Sequence, residues 1–228
     1  MEAITRVDLH LHSIYSDGSL SPAALAERLG EAGVVCAALA DHDSVEGLAE
    51  FRGALSGPGI GFITAAEITA QCGEAEAHLL AYGIDPTHPE LRQTLRSLRR
   101  AREPDRASIA GALRERGARE PSVAGEATSA APAGRLEIAE AIDLIHRSGG
   151  RAFLAHPPVT FPERERLAQV LRRLKDMGLD GVELSFDDRG EPTDPDLAAL
   201  ADELGLLASS GSDAHEAAPN GRGRPGVM

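Results

Sequence analysis

The chain has 228 residues, of which 42% are hydrophobic and only 3% are aromatic. This length allows one large α/β domain, with or without a small insert, whose core must be built from Ala, Leu, Val and Ile. The formal net charge of −13 argues against a dedicated, sequence-independent nucleic-acid binder, because such a protein needs a basic surface.

The sequence shows no pattern typical of a signal peptide, a membrane-spanning helix or a disulfide framework. The first residues lack the basic region and the long apolar region of a signal peptide. No apolar run approaches the roughly 18 residues that a membrane-spanning helix requires. The two cysteines do not form a disulfide framework. We therefore expect a soluble, cytoplasmic protein without a membrane partner.

The first predicted strand, residues 4–11, carries a row of polar side chains. Because side chains alternate along a strand, Asp8, His10 and His12 share one face, and burying such a row is costly unless a bound cation satisfies it. Asp17, at a Ser-Asp-Gly turn signal just beyond, can return a carboxylate to the same place. The alternative is two histidines that fall in one strand by chance, so this motif alone is a weak indication of a metal site.

The rest of the chain alternates between predicted strands and helices. Seven strands are predicted, at residues 4–11, 34–40, 60–65, 77–83, 151–155, 181–186 and 206–210. Helices are predicted at residues 23–32, 45–55, 90–102, 107–117, 137–147, 162–177 and 194–205. This alternation favours a parallel sheet. Because seven strands do not fill an eight-stranded barrel, a distorted or incomplete barrel fits best, with an open doubly wound sheet as the alternative.

Local signals also predict helix ends and one irregular region. Ser21 before Pro22 is a predicted N-cap of the first helix, and Asp43 or Ser44 is predicted to cap the second. Residues 101–134 differ from the rest, because an arginine-rich, helix-like piece is followed by a segment rich in Ala, Ser, Gly and Pro. We expect the second half of this region to be a flexible linker or a poorly ordered loop.

Histidine and carboxylate residues recur at the ends of the predicted strands, where parallel α/β folds gather their functional groups. They are Asp41, His42 and Asp43 after the second strand, Glu67 after the third, His156 after the fifth, and Asp213 and His215 after the seventh. Six of the eight histidines lie in or at the ends of strands, which histidines scattered through a core would not do. For the other two, His88 and His146, a structural role is favoured.

Nine side chains are candidate metal ligands: His10, His12, Asp17, His42, Glu67, His78, His156, Asp213 and His215. Imidazole and carboxylate donors without a matched thiolate suit Mn, Zn, Fe or Co better than Ca or Mg. Nine donors are too many for one ion, whereas three ions with about three protein ligands each would leave positions for water and substrate. We expect two to three divalent ions, with Mn, Zn or Fe as the candidates.

Seven motifs between the first strand and residue 215 together resemble the PHP (polymerase and histidinol phosphatase) family. They are Asp8-Leu-His-Leu-His12 with Ser16-Asp-Gly18, Ala40-Asp-His-Asp-Ser44, Ala66-Glu-Ile-Thr69, His78-Leu-Leu80, Leu154-Ala-His-Pro157, Gly181-Val-Glu183 and Gly211-Ser-Asp-Ala-His215. Within the family, the resemblance is greatest to stand-alone metal-dependent phosphoesterases that act on nucleotides or RNA 5′ ends.

The resemblance implies a distorted, TIM-like (β/α)7 barrel with a trinuclear metal centre. Carried over by motif, one ion would be held by His10, His12, Glu67 and Asp213. Glu67 would bridge to a second ion held by His78 and His156, and a third would be held by Asp17, His42 and His215. Residues 1–100 and 135–228 would form the two parts of the barrel, and residues 101–134 a shortened form of the insert that normally covers the substrate site.

The predicted activity is hydrolysis of phosphate monoesters or diesters of nucleotides by a metal-activated hydroxide, on nucleoside 3′,5′-bisphosphates or short oligonucleotide 5′ ends. The predicted catalytic residues are His42, Asp17, His215 and Glu67, and the candidate substrate contacts are Arg100, Arg222 and Arg224. For the arginine-rich stretch as a whole, residues 92–106, a solvated helix face is favoured over a phosphate clamp. The alternatives are a small-molecule phosphatase of the histidinol-phosphatase type and a non-catalytic module stabilised by its metals. No stable nucleic-acid complex is expected.

Overall fold

The computed structural model describes residues 6–57, 59–115, 135–187 and 189–215, and seven strands in these ranges form one sheet. The strands are β1 (Arg6–Leu11), β2 (Val34–Leu39), β3 (Gly61–Cys72), β4 (Ala75–Tyr82), β5 (Arg151–Leu154), β6 (Gly181–Glu183) and β7 (Leu207–Ser209). The helices are α1 (Pro22–Glu31), α2 (Leu48–Leu55), α3 (Pro89–Glu115), α4 (Ile138–Arg147), α5 (Pro157–Thr160), α6 (Arg164–Asp176) and α7 (Pro195–Glu203). The strands lie side by side in chain order.

One strand runs against the others. β1, β2 and β3 are parallel neighbours, and so are β5, β6 and β7, whereas β4 is antiparallel to both β3 and β5. The prediction of a parallel sheet is therefore wrong at β4. The cause is local, because Cys72 pairs with Ala75 and Gly73 between them has φ +66°. Such a tight hairpin leaves no chain for the crossover that parallel strands need.

The two edges of the sheet meet through β1 and the segment that follows β7. Three backbone hydrogen bonds join them, from Leu9 N–H to Ser210 O (3.1 Å), from Asp213 N–H to His10 O (2.9 Å) and from His12 N–H to Ala214 O (3.2 Å). Gly211 lies in this seam, where a Cβ atom would be only 2.3 Å from the Cβ of His10. Glycine allows the backbones to approach this closely. The sheet thus forms the distorted seven-stranded barrel that the sequence predicts.

Amphipathic helices cover the sheet, and α4 shows the pattern clearly. Its residues Ile138, Ala141, Ile142 and Ile145 are buried, at the i, i+3, i+4, i+7 spacing of a helix with one apolar face. This face packs against β3, β4 and β5. Each fully buried Ile or Leu contributes about 1.5–3 kcal/mol relative to an exposed one. As the composition predicts, the core consists mainly of Ala, Leu, Val and Ile.

Helix ends agree with the sequence in part. The predicted cap at Ser21 is confirmed, because its side chain accepts a hydrogen bond from the N–H of Ala24 (3.2 Å). The predicted cap of α2 is wrong, because α2 begins at Leu48 after Gly47 and has no side-chain cap. The carboxylate of Asp43 is already engaged elsewhere, since it accepts hydrogen bonds from Thr69.

Two predicted helix assignments also differ from the structure. α3 is one continuous helix to Glu115, where the sequence predicts two helices. The predicted helix 162–177 corresponds to α6, which is preceded by the short α5 directly after His156. The loop predicted in the second half of residues 101–134 falls mostly at 116–134, outside the described residues. None of the described helices is both long and apolar enough to cross a membrane.

Candidate metal centre

All nine predicted ligands lie in the described part of the chain, and the structure brings them together at one end of the barrel. His10 lies on β1, Glu67 on β3 and His78 on β4. The others lie on the segments that follow β1, β2, β5 and β7; they are His12, Asp17, His42, His156, Asp213 and His215. Because β4 is antiparallel, its beginning lies where the parallel strands end, and this reversal is what brings His78 to the centre.

The Glu67 carboxylate is fully buried at the middle of this group. The sequence predicts that Glu67 follows the third strand, but β3 continues to Cys72 and Glu67 lies within it. Its Oε2 is 3.2 Å from Nε2 of His10, 3.2 Å from Nε2 of His12 and 3.1 Å from Nδ1 of His42. Three imidazoles thus share one oxygen of a single carboxylate.

The other oxygen of Glu67 faces two more imidazoles. Its Oε1 is 3.0 Å from Nδ1 of His78 and 3.0 Å from Nε2 of His156. Asp213 adds a carboxylate on the first side, where its Oδ1 is 3.2 Å from Nε2 of His12. Glu67 therefore lies between two sets of nitrogen donors, as a bridging carboxylate would.

A further group surrounds Asp17, nearer the surface. Its carboxylate is 3.6 Å from Nδ1 of His12, 3.7 Å from Nε2 of His42 and 3.4 Å from Nε2 of His215. His12 and His42 thus direct one ring nitrogen toward Glu67 and the other toward Asp17. Any ions held by these groups would be close neighbours.

Hydrogen bonding does not account for this arrangement. Buried atoms without a hydrogen-bond partner include ring nitrogens of His10, His12, His42, His78 and His156, and Oε2 of Glu67. Each such atom costs about 1–3 kcal/mol. Donor atoms lie within 4.8 Å of one another in three groups: His10, His12 and Glu67; His42, Glu67 and His78; and His12, Asp17, His42 and His215. Divalent cations would satisfy these atoms, so the residues fit the predicted metals.

The charges of the centre also suit cations. Burial alone would raise the pKa of the Glu67 carboxyl, but imidazoles around it, His10 and His12 among them, hold that pKa well below its usual value. Burial lowers the pKa of His42 to about 3, so this imidazole is neutral and ready to bind a metal. Burial acts in the same direction on His12, but the carboxylates of Asp213 and Glu67 outweigh it and raise the pKa to about 9.

The match to known proteins agrees with these features. Residues 8–193 match the family model of the PHP domain. The chain belongs to the PHP family. This confirms the resemblance drawn from the seven motifs, and the matched interval contains every candidate ligand except Asp213 and His215, which follow it.

Characterised relatives of this PHP domain align along nearly its whole length. A 3′,5′-nucleoside bisphosphate phosphatase of Chromobacterium violaceum is 29% identical, with 96% of this chain and 90% of that protein covered. The 5′-3′ exoribonuclease Rnm of Escherichia coli is 32% identical, with 93% and 86% covered. These relatives therefore share most of the length of this domain.

Solved structures share the same fold. An amidohydrolase from Chromobacterium violaceum, solved with bound sulfate and no metal, has a TM-score of 0.80 and 27% identity, with 98% of this chain and 91% of that chain covered. A candidate metal-dependent phosphoesterase from Bifidobacterium adolescentis has a TM-score of 0.77 and 26% identity, with 98% and 92% covered. The distorted barrel is thus a property that this PHP domain shares with its relatives.

Glu183 supports two of the candidate ligands from behind. Its Oε1 is 2.8 Å from Nδ1 of His10, and its Oε2 accepts a hydrogen bond of 2.7 Å from the backbone N–H of His156. The sequence motifs include Glu183 but assign it no contact. One sequence signal could have found it: Glu183 is the one charged residue in the predicted strand 181–186.

Asp41 and Asp43, on either side of His42, hold the neighbouring segments. Asp41 is 1% exposed and accepts hydrogen bonds from Ser13 N–H (2.7 Å), Ser13 Oγ (2.8 Å) and Ser16 Oγ (2.7 Å). Asp43 accepts hydrogen bonds of 2.9 Å from both the N–H and the hydroxyl of Thr69. Asp41 therefore shapes the loop that carries Asp17, and Asp43 ties the segment after β2 to β3.

Backbone strain is concentrated at the same centre. Three non-glycine residues in the described ranges have positive φ: Asp43 at 49°, His156 at 30° and Asp213 at 51°. Such conformations cost of order 1–3 kcal/mol each and persist where the surroundings impose them. Two of the three, His156 and Asp213, are candidate ligands, and Asp43 is next to the candidate ligand His42. The fold therefore holds the backbone at the metal centre in conformations that non-glycine residues rarely adopt.

The predicted substrate arginines differ in position. Arg100 lies on the exposed face of α3, and Arg222 and Arg224 lie outside the described residues, so the roles of all three stay predictions. Two other arginines of α3 face the centre. Nη1 of Arg102 is 3.5 Å from Oδ2 of Asp43, and Nη1 of Arg99 is 3.5 Å from Oγ of Ser44.

The remaining two histidines make contacts outside the centre. His146 pairs with Asp180 at 2.8 Å near the end of α4. Nδ1 of His88 accepts a weak hydrogen bond of 3.4 Å from the N–H of Leu91 at the start of α3. Both contacts are consistent with the structural role that the sequence predicts for His88 and His146.

Proposed function

We propose that this PHP domain hydrolyses phosphate esters of nucleotides at a centre of two to three divalent ions, Mn, Zn or Fe. The observation that carries the proposal is the position of Glu67, whose two buried oxygens face five imidazoles at 3.0–3.2 Å. A carboxylate in this position is suited to bridge two ions. The chain is a metal-dependent phosphoesterase and therefore a hydrolase.

The nine donors would hold the ions. When bound, such ions lower the pKa of a water ligand and clamp phosphoryl oxygens. The chain itself sets the direction of approach, because the side chains of His10, His12 and Glu67 are 0–1% exposed whereas Asp17, Asp213 and His215 are 29%, 41% and 33% exposed. A phosphate ester therefore enters on the side of these three residues, and the buried donors form the floor.

His215 is held in a defined orientation on the open side. Its Nδ1 donates a hydrogen bond of 2.9 Å to the backbone oxygen of Asp213, which leaves Nε2 facing the carboxylate of Asp17. One ring nitrogen is thus fixed as a donor and the other as the free ligand atom. We propose His42, Asp17, His215 and Glu67 as the catalytic set.

The substrate class rests on the names of the relatives and on charge. The relative from Chromobacterium violaceum is a nucleoside bisphosphate phosphatase, and the one from Escherichia coli is a 5′-3′ exoribonuclease. Both names describe hydrolysis of nucleotide phosphate esters, and that shared chemistry is what we assign to this chain. The net charge of −13 supports small substrates over a stable nucleic-acid complex.

The test combines metal analysis with a substrate panel. Protein purified without any chelator is first analysed for bound transition metals. Its activity with added Mn²⁺ is then measured on four substrates: adenosine 3′,5′-bisphosphate, adenosine monophosphate, a short 5′-phosphorylated RNA and histidinol phosphate. We expect bound metal and a higher kcat/KM on a nucleotide substrate than on histidinol phosphate. Glu67→Gln should lower kcat/KM by about 100-fold or more, while Arg28→Ala, an exposed change at the end of α1, should not.

Two outcomes would contradict the proposal. Turnover of histidinol phosphate alone would identify a small-molecule phosphatase. Metal-loaded protein that hydrolyses no phosphate ester, yet loses thermal stability on chelation, would show that the centre only stabilises the barrel.

A further inference from the structure

Two arginines of α3 lie along the segment that follows His42. Arg99 and Arg102 are three residues apart, so they project from the same face of the helix. Arg99 meets Ser44 and Arg102 meets Asp43, the two residues directly after His42. This face of α3 therefore borders the metal centre.

Arg102 is close to the candidate ligands without being one of them. Oε1 of Glu76 is 3.7 Å from Nη2 of Arg102 and also 3.7 Å from Nε2 of His78. A single carboxylate thus separates the guanidinium from an imidazole of the centre. A group bound to Arg102 would therefore lie next to the candidate metal ligands.

The guanidinium of Arg102 has hydrogen-bonding capacity to spare. Its contacts at 3.5 Å to Asp43 and 3.7 Å to Glu76 exceed the 2.7–2.9 Å or so of a strong charge-assisted hydrogen bond. Arginine has five N–H donors in a planar fork, a geometry that matches phosphate oxygens. The side chain is 38% exposed, so a ligand can reach it.

Arg99 adds a second positive charge, and fewer carboxylates lie near it than near Arg102. Its one hydrogen bond in the described ranges is the 3.5 Å contact with the neutral hydroxyl of Ser44, and no carboxylate there lies within ion-pair distance of it. Arg92, farther along the same helix, is instead paired with Glu46 at 3.8 Å. Of these three arginines, Arg99 is therefore the one with no carboxylate partner among the described residues.

We infer that Arg99 and Arg102 bind a second phosphate of the substrate, the one that is not hydrolysed. This inference rests on the proposed function, since it assigns the substrate of that site as a nucleotide with two phosphate groups. The reacting phosphate lies at the site that the metal ligands form, and the arginine pair, beyond Glu76, binds the other. Arg99 and Arg102 would then determine specificity between nucleoside bisphosphates or oligonucleotides and esters with a single phosphate.

The test measures KM and kcat of the metal-loaded protein on two substrates that differ in this feature, adenosine 3′,5′-bisphosphate and p-nitrophenyl phosphate. For Arg99→Ala and Arg102→Ala we expect KM for the bisphosphate to rise about 10-fold or more, the size of one lost charge-assisted contact. Neither kcat nor the kinetics on p-nitrophenyl phosphate should change more than about 2-fold. Arg102→Lys keeps the charge but not the fork, so it should restore part of the loss.

Controls separate this role from a structural one. Arg28→Ala removes a positive charge elsewhere and should behave as wild type, and elemental analysis should find the same metal content in all variants. An equal loss of kcat/KM on both substrates would overturn the inference, because the arginines would then act only by supporting Asp43. No loss on either substrate would also overturn it, because the arginines would then have no role in substrate binding. A rise of KM in Arg100→Ala but not in Arg102→Ala would overturn it as well.

Failure of the proposed function can be told apart from failure of this inference. If the wild type hydrolyses no phosphate ester, the proposed function fails by itself. Equilibrium dialysis of adenosine 3′,5′-bisphosphate against the metal-loaded protein then decides on the arginine pair. Weaker binding by Arg102→Ala than by wild type would support the pair, and equal binding would overturn it.

Discussion

Nδ1 of His10 donates a hydrogen bond of 2.8 Å to Oε1 of Glu183, and both side chains are buried. Because Nδ1 is engaged in this way, Nε2 of His10 is the nitrogen that faces Glu67 and Asp213, at 3.2 and 3.4 Å. A carboxylate behind a ligating imidazole fixes the ring orientation and raises its basicity. The ring of His10 is thus oriented with Nε2 toward the centre before any ion arrives.

We predict that Glu183→Gln weakens metal binding by about 10- to 100-fold. An amide has one oxygen, so it cannot accept both from the ring of His10 and from the backbone N–H of His156. Titration of the chelator-treated protein with Mn²⁺ measures the change. Glu203→Gln, which alters a 65% exposed carboxylate on α7, is the matched control, and equal affinities in both variants would refute the role of Glu183.

Asp41 should be important for stability as well as for the loop that carries Asp17. Asp41→Ala removes an acceptor of three buried or partly buried hydrogen bonds, and we expect a loss of about 3 kcal/mol in the free energy of unfolding. Ser16→Ala removes one of the three and should cost about 1.5 kcal/mol. Urea unfolding of both variants checks this order, and a larger loss in Ser16→Ala would contradict it.

The seam that closes the barrel depends on Gly211. In Gly211→Ala the new Cβ would lie 2.3 Å from Cβ and 2.4 Å from N of His10, so β1 must move, and we expect a loss of at least about 2 kcal/mol. Gly53→Ala is the matched control, because nothing lies within 4 Å of its Cβ. Since Gly53 is inside α2, that change should stabilise by about 0.5–1 kcal/mol. Chemical unfolding distinguishes the two, and equal effects would argue against a tight seam.

The strand order and the convergence of most of the nine candidate donors were predictable because the pattern is local, whereas His78 reaches the centre only through the reversal of β4. Each donor lies in or shortly after a short apolar run, and strand ends at one edge of a barrel meet whatever the details of the helices. His12 and His42 are 30 positions apart, yet both follow from this rule, since each comes shortly after the strand that precedes it. The direction of β4 did not follow, because an apolar run with β-branched or aromatic residues indicates a strand but not which way it points.

Contacts between distant segments were also beyond the sequence. Glu183 meets His10 across 173 positions, and no local pattern encodes that pairing. The same holds for Arg102, since its contact with Asp43 depends on how α3 lies against the segment after β2. Local propensity favoured a cap at Asp43, but the tertiary hydrogen bonds from Thr69 prevailed.

Protons compete with metals at this centre. Burial lowers the pKa of His12 and His78, but carboxylates next to them outweigh it and raise both values to about 9: Asp213 and Glu67 for His12, and Glu67 and Glu76 for His78. In the metal-free protein both imidazoles therefore carry a proton at pH 7. An imidazole must be neutral at the ligating nitrogen, so metal binding displaces these protons.

We therefore predict that the affinity of the metal-free protein for Mn²⁺ rises steeply between pH 7 and pH 9, by up to about 10-fold per pH unit for each proton that leaves. Stability of the metal-free protein should change in the opposite sense. A pKa raised on folding contributes stability below the unfolded value of 6.5, and that contribution is lost as pH rises toward 9. Calorimetric titration in buffers of different ionisation enthalpy counts the released protons, and thermal unfolding of the metal-free protein follows its stability. Binding that releases no protons and does not depend on pH would contradict the prediction, because His12 and His78 would then already be neutral before the ion arrives.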